Sequence, residues 1–98
     1  MNILQTETFA PHVGEAFDIA MGEATTPLTL VQVRPLGAGA AIRGMLRSPF
    51  SLLFRSASLI VLPQRTYRLR NAALGALDIF LVPVGRDREG VVYEAVFN

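Results

Sequence analysis

Residues 75–98 read GALDIFLVPVGRDREGVVYEAVFN and form two apolar runs on either side of a polar loop. The runs, 76–84 and 91–97, are rich in β-branched and aromatic residues, which favour strands. Gly85 and Gly90 bound the loop, and the four residues between them are all charged. This pattern predicts a β-hairpin over the last quarter of the sequence.

Four further segments show strand patterns. In the segment 65–70, Tyr67 and Leu69 alternate with polar residues, as is typical of a half-buried antiparallel strand. Apolar residues also alternate with other residues in the remaining three segments, which are 16–20, 28–34 and 50–55.

Turn residues separate these six strands at short intervals, and no long helical pattern alternates with them. The chain is therefore expected to be mainly β, an antiparallel six-stranded sandwich or small barrel. A short helical turn is expected at 6–12 and a turn at 22–27. The Gly/Ala-rich residues 36–49 are predicted to form a loop, in which 40–46 is a candidate helical turn. Residues 59–62 are a short apolar connection.

Pro83 lies late in the most apolar of the predicted strands. Because proline cannot donate a hydrogen bond to a sheet, a sheet edge or a bulge is expected there. The strand leading to it is apolar on both faces as far as Leu81. We expect its second face to be covered by the other sheet of a sandwich or by a neighbouring subunit.

The composition indicates a single domain, 1–98, with a modest core. Hydrophobic residues make up 51% of the 98 residues, and the mean hydropathy is +0.39. Either the core is dense or part of the apolar surface is buried against another chain. The sequence has no cysteine, which excludes disulfides and thiolate chemistry.

The net charge of +1 gives no strong field towards nucleic acid or anionic membranes, so neither partner is expected. The N-terminus lacks the basic and apolar regions of a signal peptide, and no apolar run is long enough for a membrane helix. A cytoplasmic location is expected, with export by a dedicated route or by lysis as the alternative.

No catalytic, cofactor-binding or metal-binding constellation is recognisable. His12 is the only histidine, so a transition-metal site is not expected. Residues 37–44 contain three glycines but lack the Lys-Ser/Thr of a phosphate-binding loop and the context of a dinucleotide fingerprint. No enzymatic activity and no cofactor are predicted.

The remaining candidate residues lie on the predicted strands near the closing hairpin. Asp78 and Glu94 are expected on one solvent-facing side close to basic residues, where cross-strand ion pairs are the simplest explanation. The candidate contacts for a partner or a ligand are Arg68, Arg70, Asp78, Tyr93 and Glu94.

Several short motifs together resemble a bacterial family of domains of unknown function of similar length. They are Phe50-Ser-Leu-Leu-Phe-Arg55, Leu62-Pro-Gln64, Tyr67-Arg-Leu69, Leu74-Gly75, Phe80-Leu-Val-Pro-Val-Gly85 and the terminal Tyr93-Glu-Ala-Val-Phe-Asn98, with Phe9, Val13-Gly-Glu15 and Phe17 before them. The Gly/Ala-rich residues 36–46 depart from the pattern. The resemblance implies a small β domain without known enzymatic activity, accessory to phage-tail-collar-like fibre proteins.

Two classes of function follow. The first is a structural or assembly protein that binds a protein partner or itself through sheet edges or faces. The alternative is a small β domain that binds a polar or sugar ligand, or less plausibly a hydrolase. A pocket that holds two of the candidate carboxylates would favour the alternative, whereas a flat sheet face with Arg–acid pairs would favour the first.

Overall fold

A computed structural model describes residues 4–36 and 49–98. A helical turn, Thr6–Phe9, precedes a 3₁₀ turn, Ala10–His12, and both lie within the predicted helical segment 6–12. Most of the predicted loop 36–49, including the candidate turn 40–46, lies outside the described residues. The elements are α1 (Thr6–Phe9), β1 (Ala16–Met21), β2 (Ala24–Pro35), β3 (Phe50–Ser56), β4 (Arg65–Asn71), β5 (Gly75–Asp87) and β6 (Gly90–Phe97).

The six antiparallel strands close into a barrel in the order β1-β2-β3-β6-β5-β4. The strands β1 to β3 form one meander and β4 to β6 form a second. The two meanders join where β3 pairs with β6 and where β1 pairs with β4. The sequence was compatible with either a sandwich or a small barrel, and the structure is a barrel.

Alternation along the strands fills the barrel, because successive side chains of a strand point to opposite faces. In β4, for example, Tyr67 and Leu69 are buried while Arg68 and Arg70 are exposed. Each fully buried large apolar side chain contributes about 1.5–3 kcal/mol. The strand side chains of the core are Phe17, Ile19, Leu28, Leu30, Phe50, Leu52, Phe54, Tyr67, Leu69, Ile79, Leu81, Val91, Tyr93 and Ala95.

One end of the barrel, which we call the capped end, is closed by α1. Phe9 of this helix is fully buried. Its ring lies 6.1 Å from the ring of Phe50 and 5.8 Å from that of Phe97, and it also contacts Phe17. The short helix is therefore held by an aromatic plug, since a four-residue helix has little stability of its own.

The opposite end, which we call the mouth, is crossed by residues 57–64, the crossing segment. This segment leaves β3, which lies between β2 and β6, and enters β4, which lies between β5 and β1. The β1–β2 hairpin therefore stands on one side of the segment and the β5–β6 hairpin on the other. The predicted connection 59–62 lies in its centre.

Two predicted turns are shorter in the structure. The predicted turn 22–27 shrinks because β2 already begins at Ala24. Pro27 is tolerated inside β2 because it pairs with β1 at a point that β3, which begins pairing at Leu28, does not reach. The predicted loop 85–90 shrinks to two residues, because Asp87 pairs directly with Gly90 and Gly90 adopts a positive φ of 134°.

The expected irregularity at Pro83 is present as a bulge. The register between β5 and β6 shifts between Pro83 and Gly85. β5 pairs with β4 up to Leu81 and with β6 from Val82 onwards. The proline therefore lies where the long strand changes its pairing partner, a position that tolerates the loss of a hydrogen-bond donor.

Candidate functional site

Two of the candidate residues, Arg68 and Asp78, form an ion pair on the outer wall of the barrel. They are directly opposite each other in β4 and β5. The guanidinium donates two hydrogen bonds to the carboxylate, at 3.0 and 3.4 Å. These bonds lower the pKa of Asp78 and raise that of Arg68. Both side chains are exposed, so the pair is a surface cross-strand contact of the predicted kind.

Arg70 lies on the same wall, two residues along β4 from Arg68. Its register partners are Asp18 of β1 and Ala76 of β5. The β1–β4 seam consists of only two residue pairs, Asp18–Arg70 and Ile19–Leu69. Arg70 therefore marks the narrowest of the strand pairings that close the barrel.

Glu94 lies apart from this group. Its carboxylate accepts a hydrogen bond from Arg34 at 3.0 Å. The β5 residue opposite Glu94 is Val82, four residues from Asp78, which corresponds to roughly 13 Å along a strand. The two carboxylates thus belong to separate ion pairs on the convex wall, and the structure does not bring them together.

Tyr93 lies inside the barrel, where its side chain is fully buried. Its hydroxyl oxygen accepts a hydrogen bond from the backbone N–H of Leu62 at 3.0 Å. Tyr93 therefore contacts the core and the crossing segment rather than the outer wall of the barrel. What it does is hold the crossing segment from within.

Further hydrogen bonds fix the crossing segment over the mouth. The Tyr67 hydroxyl donates to the carbonyl oxygen of Pro63. The Ser56 hydroxyl oxygen accepts a hydrogen bond from the backbone N–H of Ser58, and the Ser58 hydroxyl oxygen accepts one from the backbone N–H of Ile60, each at 3.1 Å. Arg86 of β5 donates to the carbonyl oxygen of Leu59 at 3.4 Å. Side chains of β3, β4, β5 and β6 thus tie the segment to the barrel.

The centre of this tethered segment directs three consecutive apolar side chains into solvent. Leu59 is 53% exposed, Ile60 73% and Val61 46%. Met21, at the end of β1, and Val84, in β5, are exposed apolar residues in the hairpins on the two sides. Exposed apolar patches of a few hundred Å² are typical of interaction sites. Met21 lines the same cavity as Ile60, and we refer to Met21, Leu59, Ile60 and Val61 as the mouth patch.

A small cavity opens beside the mouth patch. Its volume is about 180 Å³. It lies between the end of the β1–β2 hairpin and the crossing segment, and its lining is mainly apolar. The lining residues are Met21, Thr26, Ser56, Ser58, Ile60 and Leu62. None of the five candidate residues from the sequence lies in it.

The corner where β3 ends is held by a close backbone contact. Gly90 is buried, and a Cβ atom at this position would lie 1.7 Å from the carbonyl oxygen of Ser56. Only glycine permits this approach and the positive φ of 134°. The contact sets the tip of the β5–β6 hairpin against the start of the crossing segment.

A polar cluster lies at the capped end, far from the mouth patch. His12 Nδ1 lies 2.9 Å from Glu15 Oε1, and the buried Asn71 donates to the same oxygen at 3.2 Å. Asn71 also donates to the carbonyl oxygen of Ala16 and accepts from the N–H groups of Ala73 and Leu74. The hydrogen bond from Asn71, followed by that from His12, lowers the pKa of Glu15.

This polar cluster joins three pieces of chain: the 3₁₀ turn, the start of β1 and the β4–β5 turn. Each of its polar groups is engaged in holding the others. Its geometry is that of a structural tie for the cap.

Sequence reasoning missed two features of this surface. It identified residues 59–62 as an apolar connection but not as the most exposed apolar stretch among residues 4–36 and 49–98, although four apolar residues in a loop are the available signal. It also gave no role to Asn71, because the contacts of this residue with Ala16 and Glu15 depend on the barrel closure.

Within residues 4–36 and 49–98, no helix combines the length and hydropathy needed to cross a bilayer. The same residues contain no group of three or more histidine, aspartate or glutamate side chains placed to hold a metal ion.

Comparison with known proteins relates the chain to a family. No curated protein and no solved structure matches the chain. The model of one family, described as a domain of unknown function (DUF6916), matches residues 4–97. Since this match spans nearly the whole sequence, the chain belongs to the DUF6916 family.

Proposed function

We propose that this protein is a non-catalytic assembly protein that binds a protein partner through the mouth of its barrel. The observation that supports this most strongly is the exposure of Leu59, Ile60 and Val61 on a segment that is hydrogen-bonded in place. In the isolated molecule these three adjacent apolar side chains are in contact with water, which is unfavourable. Burial against a partner removes that cost.

The tethering of the segment favours binding. A loop that is already fixed in its bound shape loses little conformational freedom on association, so more of the contact energy is retained as affinity. The hydrogen bond that Tyr93 accepts from Leu62 and the one that Arg86 donates to Leu59 restrain the backbone on both sides of Ile60. The segment is therefore prepared for contact while its apolar side chains remain available.

The more specific part of the proposal is an accessory role in a fibre or phage-tail-like assembly. It rests on the family resemblance of the sequence motifs. A small barrel with exposed apolar residues at one end offers a surface for contacts between subunits. Self-association and binding of a different subunit both fall within the proposal.

The alternative function, the binding of a small ligand, would have to use the cavity beside the mouth patch. Its volume of about 180 Å³ lies below the ~300–1,000 Å³ of typical small-molecule sites, and its apolar lining does not suit a sugar. The carboxylates expected for a polar ligand, Asp78 and Glu94, are paired elsewhere on the wall. If this candidate were correct for a polar ligand, the double variant Asp78→Asn with Glu94→Gln would lose its binding.

Site-specific photo-crosslinking in the native host tests the proposed function. A photoreactive residue at position 60 is expected to give a crosslinked protein adduct. The matched control carries the same residue at position 96, since Val96 is also a half-exposed apolar residue, 49% exposed, but lies on the wall. Adducts at 96 and none at 60 would move the contact surface away from the mouth and contradict the proposal.

A further inference from the structure

The two hairpins beside the crossing segment carry opposite charge. The β1–β2 hairpin turns at Gly22 and Glu23, so its tip is acidic. The β5–β6 hairpin holds Arg86 and Arg88 near its tip. The rim of the mouth is therefore acidic on one side of the apolar segment and basic on the other.

The acidic residues of the β5–β6 hairpin do not cancel its basic character. Asp87 accepts two hydrogen bonds from Arg55 of β3, at 3.0 and 3.4 Å. This contact lowers the pKa of Asp87 and keeps its negative charge next to a positive one. This side of the rim carries three arginines and two acidic residues, so its net charge is positive. The arginines are Arg55, Arg86 and Arg88, and the acidic residues are Asp87 and Glu89.

We propose that the partner at the mouth is a second copy of this chain. The inference rests on the proposed function and names its partner. A two-fold axis lying along the crossing segment sets the two apolar segments face to face, as an isologous interface requires. The same axis places the β1–β2 hairpin of each copy against the β5–β6 hairpin of the other. Glu23 of one copy then faces Arg88 of its partner, twice per dimer.

Charge decides between the possible axes. An axis across the crossing segment would bring like hairpins together and set Glu23 against Glu23. Only the axis along the segment matches acidic with basic residues on both sides, and like charges in contact disfavour the wrong arrangement. The apolar centre supplies the affinity, and the rim charges fix the orientation.

The cavity fits the same arrangement. It lies on the β1–β2 side of the crossing segment, lined by Met21 and Leu62 among others. In the proposed dimer this side faces the β5–β6 side of the partner, so an apolar side chain of the second segment can fill the opening. The patch is small, so we expect a dissociation constant of roughly 1–100 μM, at the weak end of protein interfaces.

Sedimentation equilibrium of the purified protein tests this directly. Wild type is expected to show a monomer–dimer equilibrium in the micromolar range. Ile60→Asp is expected to raise the dissociation constant by about 30-fold or more, the effect of losing a central contact. Val96→Asp, on the wall, is the matched control and is expected to dimerise as wild type does. A monomer at about 500 μM, or equal loss in both variants, overturns the proposal.

A charge exchange tests the orientation. Glu23→Arg alone and Arg88→Glu alone should each weaken self-association, because each sets like charges together twice per dimer. An equimolar mixture of the two variants should form a heterodimer that is tighter than either homodimer, since both contacts regain opposite charges. Circular dichroism confirms that each variant is folded. A mixture that associates no better than its components overturns the arrangement.

The outcome is separable from that of the proposed function. If a photoreactive residue at position 60 captures a different protein and never a second copy, and sedimentation shows a monomer, the assembly function stands. The inference of a second copy then fails.

Discussion

The hydroxyl oxygen of Tyr93 accepts a hydrogen bond from the backbone N–H of Leu62, 3.0 Å away. Tyr93 is fully buried in the centre of the barrel, whereas Leu62 belongs to the segment that crosses its mouth. The core thus holds the exposed segment through one polar group. Changes at this buried position are therefore expected to act at the surface.

Tyr93→Phe removes this acceptor and leaves the ring in place. The loss of one part-buried hydrogen bond is expected to lower the free energy of unfolding by about 0.5–1.5 kcal/mol. Hydrogen exchange of the Leu62 amide should become faster than in wild type. Tyr67→Phe is the matched control, because it removes the bond to Pro63 and leaves the Leu62 acceptor intact. Equal exchange at Leu62 in the two variants would contradict the assigned role of Tyr93.

Gly90→Ala is expected to be severely destabilising. Its Cβ would lie 1.7 Å from the carbonyl oxygen of Ser56, and the backbone has a positive φ. The neighbouring backbone must move to relieve this overlap, so we expect a loss of more than about 3 kcal/mol or failure to fold. Thermal unfolding measures the effect.

Gly85→Ala is the control for this change in the same hairpin. A Cβ at Gly85 has no atom within 4 Å and no positive φ to oppose it. We expect the free energy of unfolding to fall by about 1 kcal/mol or less, so the melting temperature should stay within a few degrees of that of the wild type. Similar losses in the two glycine variants would show that hairpin flexibility, rather than the contact with Ser56, is what matters.

The strands were predictable because each carries its own signal. The alternation of apolar and polar residues indicated the strand at 65–70, and the two apolar runs on either side of Gly85 and Gly90 indicated the closing hairpin. The bulge at Pro83 followed from the missing N–H. The start of β2 did not follow, because Pro27 is acceptable only where β3 has not yet begun to pair, which is a property of the closed barrel rather than of the local sequence.

The stability of the wild type should fall in acid partly through Glu15. The pKa of this carboxyl is lowered in the folded protein by hydrogen bonds from Asn71 and His12. A lowered folded-state pKa stabilises the fold above the unfolded-state value, near 4.5, and this contribution disappears as the pH falls through the folded-state pKa.

Glu15→Gln removes this titration. The difference in melting temperature between wild type and Glu15→Gln is therefore expected to be largest near neutral pH and to shrink below about pH 4.5. Other acids with lowered pKa values, such as Asp78 and Asp87, titrate equally in both proteins and cancel. A difference that stays constant from pH 7 to pH 3 would contradict the role given to the Glu15 carboxylate.

Deletion of residues 96–98 is expected to unfold the protein. Phe97 stacks on Phe50 with ring centroids 4.7 Å apart and packs against Phe9 of the cap. The deletion also removes the pairing of β6 with the start of β3. Phe97→Ala alone should lose about 2–4 kcal/mol, whereas Val96→Ala, on the exposed wall, should lose less than about 1 kcal/mol. A deletion variant that keeps the wild-type melting temperature would mean that the aromatic plug does not hold the cap.

The candidate site was predictable only in part. The Arg68–Asp78 pair followed from facing positions on neighbouring strands. The partner of Glu94 did not, because Arg34 reaches it across β3, and the adjacency of β3 and β6 is set by barrel closure. The hydrogen bond between Tyr93 and Leu62 was not predictable, because it depends on the path of the crossing segment over the mouth.

The central claim, that two copies of the chain meet at the mouth of the barrel, is tested most directly by backbone amide NMR spectra recorded across a range of protein concentrations. We predict concentration-dependent chemical-shift changes in residues 57–64, in Met21 and Glu23, and at the tip of the β5–β6 hairpin. The wall residues Phe80 and Val96 should stay unchanged. Changes centred on the wall, or none up to about 1 mM, the weak limit of association, would contradict the account.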